Sequence, residues 1–216
     1  MRKIAYIGVF LSAGVQINNK KSMDLYSNYL SNLIDQHGSL DKNILITKQA
    51  DELKIESEKN LKIISLNTNT KGALMSLAFS LDYIENDIPV IVFPTNSNVE
   101  VDIFNFLESM QLKNNDAGVI CFQSNDANYS YIRVKQGKII EFKEKEIVGD
   151  LATTGIFYFK NKHEIINCVE WCLINNISTN GNYYLAPSLN YFVCNNMNIG
   201  LQTISSDNYL RLDFAQ

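Results

Sequence analysis

The sequence predicts an α/β fold in which a central sheet is covered by helices on both faces. Short stretches rich in Ile, Val, Leu and Phe alternate with longer amphipathic stretches along the 216 residues, as in folds whose strands are buried on both sides. The composition is that of a folded chain, because 46% of the residues are hydrophobic and only three are proline. We find no repeat, linker or boundary, and therefore predict a single domain over residues 1–216.

The first third of the chain alternates strands with a helix. Residues 4–11 are an apolar stretch of strand length, and residues 43–47 and 62–66 are two more short strands. Residues 22–36 carry apolar side chains at helical spacing. We prefer a buried strand to a signal peptide at the N-terminus, since the apolar stretch spans only about eight residues.

The middle third continues the alternation. Thr70 is predicted to be the N-cap of a helix over residues 71–85, whose apolar residues fall on one face. A strand over 89–93, a helix over 101–112 and a buried strand over 117–122 follow.

The last third is less regular. It begins with a hairpin that turns at Lys135-Gln136-Gly137, and its predicted last strand covers residues 199–204. The hairpin strands are 131–134 and 138–142, and the elements between the hairpin and the last strand are a strand over 156–159 and helices over 162–175 and 185–195.

Charge and hydropathy exclude several classes of protein. The formal net charge is -4, which provides no general attraction to nucleic acid or to an anionic membrane. No apolar stretch approaches the roughly 20 residues of a membrane-spanning helix. We expect reduced cysteines and a cytoplasmic location. Cys168 and Cys172, four apart on one predicted helix, are interpreted as core positions beside Trp171 rather than as metal ligands.

Several common catalytic motifs are missing. Gly8 and Gly14 do not belong to a phosphate-binding loop of the GxxxxGK[ST] kind, and no GxGxxG motif follows a strand. The two histidines, His37 and His163, are too few for a histidine-based metal cluster or a catalytic triad.

Six segments in a fixed order carry a family resemblance, and they cover residues 70–73, 89–96, 116–122, 129–145, 152–159 and 180–187. In order and spacing they resemble the sugar-phosphate nucleotidylyltransferases, in particular the small bacterial ones that make precursors of capsule and other surface polysaccharides. The resemblance implies a single Rossmann-like domain of the nucleotide-diphospho-sugar transferase (GT-A-like) type, with a mixed central sheet flanked by helices.

The resemblance also implies an activity. A nucleotidyl group would pass from a nucleoside triphosphate to a sugar phosphate, or a similar phosphorylated small molecule, with release of pyrophosphate. The expected cofactor is Mg²⁺. The expected partners are these two substrates, with no nucleic acid and no membrane, and formation of a homo-oligomer is left open.

Matching the family's motifs residue by residue gives candidate site residues. The nucleotide-binding candidates are Leu11, Ala13, Gly14, Thr70, Gly72 and Asn96. The acceptor-binding candidates are Glu144, Thr154 and Gly155, the catalytic candidates are Lys145 for the acceptor phosphate and Lys21, and the metal candidates are Asn96 and Asp102.

The chain departs from the family at these positions. The loop after the first strand has no arginine, and Lys20 or Lys21 stands for the family's lysine. Asn96 replaces the metal-binding aspartate, and an amide oxygen carries no charge to offset the ion. Glu100, Asp102 and Asp207 are the carboxylates left to take over that role.

Three functions therefore stay open. The first is an active nucleotidylyltransferase for a surface polysaccharide or a phospholipid-headgroup-like pathway. The second is a catalytically impaired relative that binds a nucleotide or nucleotide sugar in a regulatory or assembly role. The third is an α/β scaffold for protein contacts, since a fold does not by itself supply an activity.

Overall fold

A computed structural model describes residues 5–15, 17, 19–37, 40–55 and 60–214. Ile4, where the first strand was predicted to begin, lies outside these residues. The strands are β1 Ile7–Leu11, β2 Lys42–Thr47, β3 Leu61–Ser65, β4 Val90–Pro94, β5 Ser97–Val99, β6 Ala117–Gln123, β7 Ser130–Lys135, β8 Lys138–Glu144, β9 Leu151–Phe159, β10 Ile199–Ile204 and β11 Tyr209–Arg211. The helices are α1 Lys20–Gln36, α2 Ala73–Ala78, α3 Ile103–Leu112, α4 Lys162–Ile174, α5 Leu185–Ser188 and α6 Asn190–Cys194, with 3-10 turns at Leu81–Tyr83 and Ser206–Asn208.

The main sheet is mixed and mostly parallel along its centre. Its order is β10-β6-β9-β4-β1-β2-β3, and the β7–β8 hairpin joins it through β9. Strand β1 pairs in parallel with both β2 and β4, while β9 is antiparallel to β4 and β6. The chain leaves β1 towards β3 and returns to the other side of β1 as β4. This reversal is a topological switch point, where open α/β sheets bind ligands.

Helices cover both faces of the sheet, as the sequence predicts. One apolar cluster packs α2, α4, α5 and α6 against one face, and a second packs α1 and α3 against the other. Strand β4 supplies both clusters, with Val92 on the first side and Phe93 on the second. Cys168 and Cys172 are buried in the first cluster, which confirms their interpretation as core. No helix in the described ranges is long and apolar enough to span a membrane.

The helix predicted over residues 71–85 is shorter in the structure. Thr70 as its N-cap was wrong, because α2 begins after Gly72 and has no side-chain cap. Its end is also earlier, since the Ser80 hydroxyl donates a hydrogen bond to the Leu77 carbonyl at 2.7 Å and the chain continues as the Leu81–Tyr83 turn. Serine side chains compete in this way with the helical hydrogen bonds of the backbone.

The helix predicted over residues 185–195 is two short helices, α5 and α6. Asn190 explains the break, because its side chain accepts from the Phe142 N–H at 2.9 Å and donates to the Phe142 carbonyl at 2.8 Å. A second donation goes to the carbonyl of Pro187 at 3.1 Å. The chain is thus fixed to β8 at this point.

The sequence analysis missed two strands, β5 and β11, and predicted too short a length for β9. The strand predicted over 156–159 begins earlier, at Leu151. The strand over 199–204 is not the last, because β11 follows it and pairs antiparallel with β5 in a separate small sheet. Each of these two strands has only three residues, which is too few for an alternation of apolar and polar side chains to be recognised in the sequence.

Candidate nucleotide-binding cleft

A cleft of about 760 Å³ opens at the carboxyl ends of the central parallel strands. Leu11 ends β1, Lys48 directly follows β2, and Pro94 ends β4, and all three line the cleft. The cleft therefore lies at the switch point between β1 and β4, the place where the topology favours ligand binding.

Most of the candidate residues chosen from the sequence meet in this cleft. They come from five separate parts of the chain and include every nucleotide-binding candidate. The candidates that line it are Leu11, Ala13, Gly14, Thr70, Gly72, Asn96, Glu144 and Gly155. Folding thus brings the segments of the resemblance around one space.

Four candidates are not lining residues of the cleft, namely Lys21, Asp102, Lys145 and Thr154. Lys21 is exposed in the first turn of α1. Asp102 is the N-cap of α3, and its carboxylate accepts a hydrogen bond from the Asn105 N–H at 3.0 Å. Asp102 therefore serves the end of a helix, where a carboxylate is favoured by the helix dipole.

Lys145 follows Glu144 at the rim of the cleft. It is exposed and has a positive φ of 55°. Its backbone N–H donates to the Tyr129 carbonyl at 3.1 Å. This places the ammonium group on a flexible stem beside a residue that lines the cleft.

A bulge in β9 decides which residues of that strand face the cleft. The pairing with β6 slips between Val119 and Cys121, and Gly155 takes a φ of +88° there. The Thr154 hydroxyl turns away and donates to the Ile120 carbonyl at 3.0 Å, whereas Thr153 and Gly155 line the cleft. Thr153 is thus a lining residue that the sequence analysis missed.

Gly72 permits a close contact between two walls of the cleft. Its φ is +97°, and a Cβ built on it would lie 2.3 Å from the Tyr183 carbonyl oxygen. The Tyr183 backbone donates to Lys71 and accepts from Leu74, at 2.8 and 3.1 Å. Only glycine adopts this conformation at no steric cost and lets the backbones approach so closely.

A chain of buried hydroxyl groups holds the strand ends behind the cleft. The Tyr26 hydroxyl from α1 shares hydrogen bonds with Ser12 at 2.5 Å and Thr95 at 2.8 Å. Thr95 donates in turn to the Leu11 carbonyl at 3.0 Å. Burial raises the pKa of Tyr26 to about 12, so its hydroxyl stays protonated. The chain ties α1 and the end of β4 to the loop that begins at Leu11.

The Lys, Arg, Asp and Glu side chains of the cleft lining, in the part of the chain that is described, are Lys48 and Glu144. Lys48 donates to the Asn69 side-chain oxygen at 2.7 Å. Glu144 accepts from the Ser130 hydroxyl. Burial raises the pKa of the Glu144 carboxyl, while the Ser130 bond and Lys145 act in the opposite direction. Lys48 was missed, although its place directly after a parallel strand was a usable signal.

The comparison with known proteins agrees with this geometry. A family model described as nucleotidyl transferase matches residues 15–169, more than two thirds of the chain. The chain belongs to the nucleotidyl transferase family. No protein of curated function matches the sequence.

Solved structures show the same fold as this nucleotidyl transferase family member. The nucleoside-diphosphate-sugar pyrophosphorylase from Vibrio cholerae RC9 superposes with a TM-score of 0.68 and 18% identity, over 95% of this chain and 94% of that one. A Bacillus anthracis protein assigned as a glucose-1-phosphate thymidylyltransferase, in complex with sucrose, gives 0.71 and 17%, over 93% and 87%. At this identity the likeness demonstrates the fold, which confirms the expected fold class.

The position where the nucleotidyl transferase resemblance expects a metal-binding aspartate is Asn96, which lines the cleft. In the described ranges, no three His, Cys, Asp or Glu side chains form a group that would hold a metal. Asn96 does share a second, adjoining cavity with the carboxylate of Asp213. One amide oxygen and one carboxylate fit Mg²⁺, which keeps several waters and uses substrate phosphates as further ligands.

Proposed function

We propose that this protein transfers a nucleotidyl group from a nucleoside triphosphate to a sugar phosphate or a similar phosphorylated small molecule. The observation that carries the proposal is the cleft at the switch point, because every nucleotide-binding candidate and two of the three acceptor-binding candidates, Glu144 and Gly155, line this single space. Nucleotide sugars made in this way would serve as precursors of a surface polysaccharide such as capsule.

The reaction needs one bond to form and one to break. A phosphate oxygen of the acceptor attacks the α-phosphorus of the triphosphate, the bond from that phosphorus to the bridging oxygen breaks, and pyrophosphate leaves with that oxygen. No proton has to move between the reactants. Catalysis of this kind rests on alignment and on the stabilisation of negative charge.

In this proposal the two substrates occupy different walls of the cleft. The backbone of the loop at Leu11, Ala13 and Gly14, together with Gly72, would hold the nucleotide, since Gly14 and Gly72 have no side chain to keep a ligand from the backbone. Glu144 would accept a hydrogen bond from a hydroxyl of the acceptor, and Lys145 beside it would meet the acceptor phosphate. A lysine offers a mobile point charge that suits this role.

Mg²⁺, when bound, would screen the charge of the triphosphate and favour departure of pyrophosphate. Asn96 and Asp213 are the residues that would hold it, because both line the second cavity. In this proposal Asp213 takes the place first expected for Asp102, which caps α3 and lines neither cavity.

The test is an assay of pyrophosphate release with the four common nucleoside triphosphates and a panel of sugar 1-phosphates, with and without Mg²⁺. We expect release for one pair of substrates in Mg²⁺. Lys145→Ala should then raise KM for the acceptor about tenfold or more, as for the loss of one charged contact. Lys138→Ala is the matched control, since Lys138 is an exposed lysine of the same hairpin that does not line the cleft.

Unchanged acceptor kinetics in Lys145→Ala would overturn the role of that lysine. A second candidate function is binding of a nucleotide or nucleotide sugar without transfer. It is supported by the neutral Asn96 at the metal position and by the loop without arginine. Nucleotide-dependent thermal stabilisation that needs no Mg²⁺, with no pyrophosphate released from any substrate pair, would favour it over the transferase.

A further inference from the structure

We propose that Arg211, near the C-terminus, binds the β- and γ-phosphates of the nucleoside triphosphate, and therefore also inorganic pyrophosphate. This inference rests on the proposed function, because it extends the nucleotide site of the cleft. The residues that carry Arg211, Tyr209 to Phe214, are called the strap below.

Backbone pairing places the strap beside the cleft. Strand β11 is antiparallel to β5, with Arg211 in register with Ser97, the residue after Asn96. The next residue, Leu212, donates its N–H to the Asn96 carbonyl at 2.8 Å. Arg211 is thus fixed next to a residue that lines the cleft.

Aromatic contacts hold both ends of the strap. The ring of Tyr209 stacks on Phe122 at 4.2 Å between centroids. The ring of Phe214 meets Tyr26 edge-on at 4.7 Å. Tyr26 is the residue whose hydroxyl positions the loop after β1, so the strap and that loop are held by one side chain.

Arg211 lines the second cavity, which has a volume of about 510 Å³. Gly14, Val15 and Asn96 line both this cavity and the cleft. The two cavities therefore adjoin at the loop after β1. A ligand that extends from the cleft past this loop enters the second cavity, which Arg211 lines. An extended polyphosphate attached to a nucleoside has the shape to do so.

Charge is the reason that the cleft needs this extension. A triphosphate carries several negative charges, yet the acidic and basic side chains among the described lining residues of the cleft are one cation and one anion, Lys48 and Glu144. Lys20 and Lys21 are exposed and line neither cavity. The cleft by itself is therefore close to neutral.

Arg211 adds a second cation next to the loop, in a cavity that also contains the carboxylate of Asp213. Within the described residues it forms no salt bridge, in contrast to Arg133, which pairs with Glu141 at 3.1 Å. A guanidinium group presents a planar set of donors that matches phosphate oxygens in pairs. The acidic residue of the cavity, Asp213, suits the Mg²⁺ that accompanies a triphosphate.

The test compares ligands with and without the β- and γ-phosphates. Isothermal titration in Mg²⁺ would measure the four common nucleoside triphosphates, the corresponding monophosphates and inorganic pyrophosphate, on the wild type and on Arg211→Gln. We expect the variant to bind the preferred triphosphate and pyrophosphate about ten- to a hundredfold more weakly, as for one lost charge-assisted contact. Monophosphate affinity should not change. Arg133→Gln, the matched control, should bind all ligands like the wild type.

Other outcomes decide against the inference. Unchanged triphosphate affinity in Arg211→Gln overturns the role of Arg211 and leaves the proposed function standing. An equal loss for monophosphate and triphosphate also overturns it, because it indicates a distorted cleft. Wild-type protein that binds no triphosphate overturns the proposed function as well. Arg211→Lys keeps the charge without the planar donors, so we expect it to bind triphosphate with intermediate affinity. This variant replaces Arg211→Gln in the test if the Gln variant is unstable.

Discussion

Tyr26→Phe removes one hydroxyl from the middle of the hydrogen-bonded chain behind the cleft. The wild-type hydroxyl makes two buried hydrogen bonds, to Ser12 and Thr95. Each contributes about 1 kcal/mol net, so the variant should lose about 2 kcal/mol of unfolding free energy. For a chain of this size that corresponds to a fall in Tm of roughly 4 to 8 °C.

Tyr26→Phe should weaken ligand binding as well as lower the stability of the fold. Thr95 and Ser12 hold the loop that begins at Leu11, and the variant leaves both without Tyr26. We therefore expect weaker nucleotide binding, measured by titration, together with a lower midpoint of urea unfolding at unchanged m-value.

Tyr158→Phe is the matched control. Among the described residues its hydroxyl has one hydrogen bond, accepted from the Gln111 amide at 2.9 Å, and Tyr158 does not line the cleft. This variant should lose about half as much stability and bind nucleotide like the wild type. Equal effects of the two substitutions on stability and on binding would refute the argument that Tyr26 positions the loop.

Two further predictions concern the pH dependence of stability and a glycine of the cleft. Burial lowers the pKa of His37 from 6.5 to about 4, so the unfolded chain takes up a proton that the folded chain does not as pH falls through this window. Between pH 7 and pH 4.5, the free energy of unfolding measured in urea should fall by about 2 kcal/mol less in His37→Phe than in the wild type. An equal fall in both proteins would contradict the lowered pKa of His37. Gly72→Ala places a Cβ 2.3 Å from Tyr183, whereas Gly137, also at positive φ, has open space. Gly137→Ala should therefore lower the free energy of unfolding by roughly 1 kcal/mol through backbone strain. Gly72→Ala should lower it clearly more and should also weaken nucleotide binding.

Local pattern was sufficient for the central elements of the fold. Strands such as β1 and β4 are short apolar stretches buried on both faces, and α1 and α4 carry their apolar residues at helical spacing. These signals lie within a few turns of chain, so they are present before any tertiary contact forms. The segments of the cleft could also be chosen from the sequence, because the motifs that carry the resemblance are contiguous.

The sequence-based predictions were wrong where contacts with residues far away in the chain determine the local structure. Asn190 interrupts the helix predicted over residues 185–195 by bonding to Phe142, and the bulge in β9 turns Thr154 away from the cleft and Thr153 towards it. Neither effect is visible in the local pattern, because the partner lies elsewhere in the chain.

By itself, the sequence determined the α/β class, the helical and strand segments of the central layers and the family to which the chain belongs. Only the tertiary structure decided that Asp102 serves a helix, that Lys48 lines the cleft and that Arg211 stands beside the loop after β1. The physical reason is that pairing between β5 and β11 joins two three-residue strands more than a hundred residues apart. Such a contact forms only once the main sheet, whose strands β4 and β10 lead into β5 and β11, has folded.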